Sequence, residues 1–359
     1  MNPGRPDGEK ISPLGAQTAS VERVRTDRGL WSYVWRQFKR SPIALGGFYV
    51  VCFLLLMALF ADFLANDKPY YLFYRGRIYF PIFQSYLVGL RVGQWPPELL
   101  NADFKKLDGA EAVFPPIAYR PSSIDLLAPF ESPSKQHWLG TDKLGRDVMA
   151  GIVHGSRISL SVGFVAVGIA VVIGVVLGAL AGFFGSWLDL IISRFFEIML
   201  SIPMFFLLIT VAAVLPPSVF LTMAIIGLTG WVGIARFTRN EFLKIRNLDY
   251  VTAALALGVS ARKIMFRHIL PNALAPILVS VVLGIASAIL LESSLSFLGI
   301  GVPADTVTWG SILNEARSNT FAWWLAVFPG AAIFITVLAY YSVGEGLREA
   351  LDPRLRGSR

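Results

Sequence analysis

Charge is scarce in this chain: Asp, Glu, Lys and Arg make up 16% of its 359 residues, while 55% are hydrophobic. Average globular usage is about 25% charged, so a large solvated surface is excluded for most of the length. One cysteine, Cys52, rules out an intramolecular disulfide and has no neighbouring base to activate it. Three histidines, His137, His154 and His268, lie far apart, and no His-Glu-x-x-His occurs, so neither a zinc hydrolase nor another intramembrane enzyme is supported. The Gly-x4-Gly-Lys-Ser/Thr phosphate loop is also missing, so the chain cannot be an ATPase of that type on its own. No basic stripe interleaved with exposed aromatics appears, which argues against nucleic acid as a partner.

Long apolar runs take the place of that charge. Five are charge-free: 41–61, 158–188, 198–235, 269–291 and 318–344. A membrane-crossing helix needs about 20 apolar residues. Four runs give one crossing each, and 198–235, broken at Pro216-Pro217, holds two if the first begins near Leu190. The expected fold is therefore an all-α integral membrane protein with six transmembrane helices. The segment 236–271 carries seven Lys or Arg against Glu241 and Asp249, whereas 300–322 carries only Arg317. The positive-inside rule places 236–271 in the cytoplasm, and six spans then put both termini there too. The net charge of +8 is thus a topology signal, set near anionic lipid headgroups of the bilayer. The first span is no cleaved signal peptide, because some 40 polar residues precede it. Residues 1–28, rich in Gly, Pro and charge, read as a disordered tail.

The expected organisation is a cytoplasmic tail over 1–40, a first transmembrane helix over 41–64 and a small extracytoplasmic insertion over 65–157. A five-helix core over 158–344 and a cytoplasmic tail over 345–359 follow. In the insertion, YYLFYRGRIYF (70–80) predicts a hairpin turning at Gly76. Its end, HWLGTDKLGRDVMAGIVHGSR, combines turn chemistry at Gly140-Thr141-Asp142 and Leu144-Gly145 with Arg146 and Asp147 at the start of an interfacial helix. His137, Asp142 and Asp147 lack tight metal-ligand spacing, so a structural role is preferred to a metal site.

Within the spans, Gly174, Gly178 and Gly182 recur every four residues, with Ala170 extending the row. One helix face without side chains lets a partner backbone approach closely. Arg194 and Glu197 stand three apart and can pair on one helix face, with a structural role or, as the alternative, a part in gating. Pro203 predicts a kink beside a translocation path. Glu292, after the fifth run, is expected to snorkel to water near the outer surface. No ionisable residue falls mid-span, which disfavours a proton- or sodium-coupled carrier and points to energy supplied from outside the bilayer.

The loop DYVTAALALGVSARKIMFRHILP (249–271) is built for contact with another protein. Asp249 is expected to cap a helix carrying Thr252, Ala253 and Ala254, and Gly258 to end it in left-handed geometry. Ser260 is expected to cap a second helix bearing Arg262, and Pro271 to end that helix after His268 and Leu270. This stretch resembles the Glu-Ala-Ala loop of ATP-binding-cassette (ABC) importer permeases, which seats the ATPase subunit. Thr252 replaces the name-giving Glu and His268 the usual Ile; both substitutions, and the HILPN ending, are similar to the oligopeptide and dipeptide branch. SLSFLGIGVP (294–303), Thr308-Trp309-Gly310 and LREALDPRLR (347–356) extend the resemblance to the C-type permease subunit of that branch. ANDKP (65–69) looks like the branch with peptide and microcin uptake systems.

The resemblance implies a type I ABC importer permease fold in the bacterial inner membrane. It implies a heterodimer with a second, B-type permease, two ATPase subunits and an extracytoplasmic solute-binding protein delivering peptide. ATP and Mg would be held by the ATPases, and this chain would carry no cofactor or catalytic residue. Nickel chelates or other small solutes are alternative cargoes, and a stand-alone channel or carrier is the alternative class.

Overall fold

The computed structural model describes residues 28–100 and 102–351. Of the tail expected over 1–28, residues 1–27 lie outside the described residues, as does the end of the 347–356 signature, while Arg28 opens a helix. Thirteen helices and three short strands follow one another: α1 (Arg28–Phe38), α2 (Pro42–Leu59), α3 (Ala61–Leu64), β1 (Tyr71–Tyr74), β2 (Arg77–Tyr79), α4 (Pro81–Gly89), β3 (Glu111–Val113), α5 (Val148–Phe184), α6 (Ser186–Ser201), α7 (Met204–Val214), α8 (Val219–Arg246), α9 (Asp249–Ala256), α10 (Ala261–Ile264), α11 (Leu270–Phe297), α12 (Trp309–Ser318) and α13 (Trp324–Leu351). Among the described residues, five helical stretches are long and apolar enough to cross a membrane: α2, α5, α8, α10 to α11, and α13. A sixth crossing is available if α6 and α7, bent by 76° at Ile202-Pro203, act as one broken span. The kink expected at Pro203 is thus a full break, because proline offers no N–H to continue the ladder and restricts Ile202 before it.

The centre of the bundle is the pair α5 and α8, flanked by α11, with α13 and α2 outside them. The glycine row makes that pairing close. A Cβ added at Gly174, Gly178 or Gly182 would stand 2.9 Å from the Trp231 carbonyl oxygen, 2.3 Å from that of Ala235 and 2.6 Å from that of Arg239, respectively. Gly227 of α8 returns the contact, 2.6 Å from the Ala166 oxygen by the same measure. The partner helix left unnamed by the sequence is therefore α8.

The second span starts at Val148 rather than at Ile158. Asp147 is its N-cap, accepting from the Ala150 N–H at 2.7 Å, so Arg146 and Asp147 open the span itself and not a separate interfacial helix. The insertion holds the expected hairpin: β1 and β2 pair antiparallel around Arg75 and Gly76, both at positive φ (52° and 77°), the geometry of a two-residue primed turn. The third strand, β3, pairs with the other edge of β1.

Candidate functional site

α9 packs its one fully buried side chain, Val251, with the half-buried Ala254 beside it, into an apolar cluster with Ile264, Met265 and Ile269 of the following segment. Behind them lie Phe183 of α5, and Phe242 and Ile245 of α8. Burial of these side chains fixes the loop on the ends of the two central helices. Among the site residues named from the sequence, Thr252, Ala253, Gly258, Arg262 and Pro271 are exposed, while Ala254, His268 and Leu270 are half-buried.

The elbow has the expected form. Gly258 sits at φ 75°, its N–H donating to the Leu255 oxygen and that of Val259 to the Ala254 oxygen, a Schellman arrangement. Leu257, just before the turn, is 83% exposed. Leu248, Tyr250, Leu255 and Phe266 are exposed on the same loop, together with Arg262, Lys263 and Arg267. Burial pushes the Tyr250 phenol above its ordinary range, and the Asn272 side-chain amide donates to its oxygen at 3.3 Å. An apolar tip beside cations is therefore presented on a rigid base.

Three local expectations fail here. Asp249 is the first residue inside α9; Leu248 holds the N-cap position and no side chain caps that end. Ser260 stands at the N-cap of α10 but makes no side-chain cap bond. Pro271 does not end the second helix. A π-turn over Met265–Ile269 carries the chain from α10 into α11, with Leu270 N–H bonding back to the Met265 oxygen. Widening the ladder just before Pro271 places the ring at the first turn of α11, where a missing N–H costs little.

Arg194 and Glu197 do pair, at 2.6 Å, with side chains 67% and 61% exposed on α6. Sequence reasoning missed the longer-range pair beside it, Arg239 of α8 to Asp189 of α6 at 2.5 Å, which ties the broken span to the core. Glu292 was expected at the water surface; it is fully buried. Its carboxylate accepts from Ser296 at 2.7 Å and from Ser159 of α5 and Ser293 at 3.4 Å each. Ser159 also accepts from the Trp309 N–H at the start of α12, at 3.4 Å, so α5, α11 and α12 meet at this carboxylate. Ser293 and Ser296 stand one and four residues from Glu292, a spacing that could have signalled them, whereas Ser159 is 133 positions away and has no local signal.

At the same end, His137 Nδ1 lies 2.8 Å from Asp147, and Arg146 bridges Asp142 at 2.5 Å and Glu315 at 2.8 Å. The three residues weighed as ligands thus have side-chain partners. Among the described residues no group of three or more His, Cys, Asp or Glu is arranged to hold a metal ion.

Residues 174–357 match the family of binding-protein-dependent transport system inner membrane components, and residues 29–81 match the N-terminal transmembrane domain of oligopeptide transport permease C. The Peptidoglycan transport system permease protein YejE of Agrobacterium fabrum is 34% identical over 385 residues, covering 94% of this chain and 98% of that protein. The Oligopeptide transport system permease protein OppC of Bacillus subtilis is 32% identical, covering 96% and 97%. The Dipeptide transport system permease protein DppC of Alkalihalophilus pseudofirmus is 42% identical over 227 residues, covering 63% of this chain and 75% of its own. With spans, broken helix and glycine elbow in place, the chain belongs to the binding-protein-dependent transport system inner membrane components, the permease subunits of ABC importers.

Proposed function

We propose that this permease carries peptides delivered by a solute-binding protein, and that the α9–Gly258–α10 loop is the seat of the ATPase subunit. The observation that carries the second part is the exposed Leu257 tip beside Arg262, Lys263 and Arg267, on a base locked by Val251, Ile264 and Ile269. Leu257 does not stand alone there, since Leu248, Tyr250, Leu255 and Phe266 are exposed on the same loop and together form an apolar patch suited to a partner. The loop then lies in the cytoplasm, as do both termini, in the inner membrane of a bacterium. The complex holds a second, B-type permease and two ATPases, which bind ATP and Mg; ATP favours one conformation of the pair, and the binding protein engages it. The exposed Arg194–Glu197 pair on apolar α6 is better suited to that second permease or to a wet pathway than to lipid, where charge is costly.

The peptide reading is supported by the names of the relatives and by no peptide-reading residue in the spans. It is tested by ATP-driven uptake of labelled peptides of two to five residues into vesicles containing the full complex. Uptake that follows peptide and ignores nickel chelates supports it; the reverse preference refutes the cargo and leaves the docking loop standing. The loop is tested by Arg262→Glu, which is expected to reduce co-purification of the ATPase.

A further inference from the structure

The insertion between α2 and α5 carries a solvent-open pocket of about 680 Å³ lined by aromatic rings and charge. Four cations face it, Lys68, Lys105, Lys106 and Arg120, against three carboxylates, Asp67, Asp103 and Asp125. Two of the cations are satisfied: Arg120 pairs with Asp67 at 3.0 Å and Lys106 with Asp103 at 3.5 Å. Asp125 accepts from the Leu127 N–H at 3.0 Å. Lys68 and Lys105 make no ion pair among the described residues. Each instead lies over an aromatic ring, Lys68 Nζ 4.3 Å from the Trp95 centroid and Lys105 Nζ 3.6 Å from that of Tyr119. Stacking on a ring holds a lysine in place without neutralising it.

We propose that this cavity is a binding site for a small carboxylate ligand carrying an apolar group, with Lys68 and Lys105 as the carboxylate clamp. Trp95, Phe104 and Leu99 supply the apolar wall. Burial lowers both lysines below their ordinary range, opposed by Asp67 at Lys68 and by Asp103, Asp67, Asp147 and Asp125 around Lys105, and a bound carboxylate would offset the same desolvation. The floor gives the site a route into the bundle. The Tyr119 ring packs against that of His137, tilted by 35° with centroids 4.5 Å apart, His137 bonds Asp147, and Asp147 caps α5. An occupant resting on Tyr119 therefore touches the chain of contacts that fixes the first turn of the central span.

The site deepens the peptide reading only in the choice of natural ligand, since a peptide's C-terminal carboxylate with an apolar last residue has this chemistry. The test keeps the two apart. Full-length chain in lipid nanodiscs, with its partner subunits, is probed by ligand-observed NMR with 3-phenylpropionate, its amide, the tripeptide Ala-Ala-Phe and that peptide's C-terminal amide. The acids are expected to bind at least tenfold more tightly than the amides. Lys68→Met with Lys105→Met is expected to remove that preference, while Lys106→Met, whose lysine is already paired, keeps it. Equal binding of acid and amide, no binding of either acid, or full binding to the Lys68/Lys105 variant overturns the site. Binding of phenylpropionate without the tripeptide upholds the carboxylate site and removes peptide as its ligand. Peptide uptake by a complex whose cavity binds nothing refutes the site and leaves the cargo reading intact.

Discussion

Gly178→Ala is the sharpest perturbation of the central seam. The new Cβ would lie 2.3 Å from the Ala235 carbonyl oxygen, 2.8 Å from Thr238 Cβ and 3.0 Å from the Arg239 nitrogen. Two of these neighbours are backbone, so no side chain can rotate aside, and α5 and α8 must separate locally by about 1 Å to restore ordinary contact. Overfilling a packed interface costs about 1–3 kcal/mol. Replacing a helical glycine by alanine meanwhile gains about 0.8–1 kcal/mol of helix propensity. The control removes that second effect: Gly168, on the same helix, has nothing within 4 Å of its would-be Cβ. Gly168→Ala is expected to be neutral or stabilising and Gly178→Ala destabilising, the difference of about 1–3 kcal/mol isolating the clash. Thermal unfolding of both variants in one detergent, followed by fluorescence and corrected to a common temperature, gives the comparison. Equal stability of the two variants would refute the close seam.

Four further outcomes are expected. Gly258→Val places a β-branched residue at φ 75° and should abolish ATP-driven uptake while leaving membrane insertion intact; unchanged uptake removes the elbow from coupling. Leu257→Asp and Arg262→Glu should each lower recovery of the ATPase in pull-downs, and normal recovery in both moves the interface elsewhere. Glu292→Leu strands Ser159, Ser293 and Ser296 in an apolar site and should cost more stability than Glu292→Gln, which keeps acceptor capacity; unfolding midpoints in the opposite order would show that the carboxylate does not organise the three helices. Pro203→Ala should let α6 and α7 straighten, lengthening a spin-label distance between their far ends from about 32 Å toward about 40 Å, as expected from 1.5 Å rise per residue. A wild-type distance already near the longer value would exclude the 76° break.

Much of the architecture was legible because it rests on short-range rules. Charge-free runs mark α2, α5, α11 and α13, the spacing of Gly174, Gly178 and Gly182 marks a packing face, and Arg75-Gly76 marks a hairpin turn. Errors arise where a distant group overrides the local rule. Glu292 reads as the end of a span until Ser159, 133 positions earlier, is brought beside it. Pro271 reads as a helix stop because local chemistry forbids an α-helical ladder there, yet the buried Ile269 before the proline and Ala273 and Ile277 after it share one cluster, and a π-turn reconciles the two. Asp249 and Ser260 have the composition of caps, but the first falls one position inside its helix and the second makes no side-chain cap bond. The Asp189–Arg239 pair and the β1–β3 pairing are invisible for the same reason: neither partner is near the other in sequence.

The positions of these long-range ties locate the part of the molecule that can move. α5 has 37 residues and reaches about 55 Å. One end is capped by Asp147 under His137; the other carries Ala179 and Phe183 into the cluster beneath the loop. α11 runs beside it, sharing Ala273 and Ile277 with that cluster and Glu292 with Ser159. With α8 locked to α5 along the glycine seam, these three helices are joined at both ends and along their length, so displacement of the loop moves them together rather than bending them. α6 and α7 are different. They bury few side chains, Leu208 alone in α7, and meet at a 76° break. Among the described elements their one ion pair to the bundle is Arg239 to Asp189. Of the described helices, α6 and α7 can therefore shift against α5 and α8 with the least loss of buried packing, and the Asp189–Arg239 pair is the ion pair that ties them to the bundle.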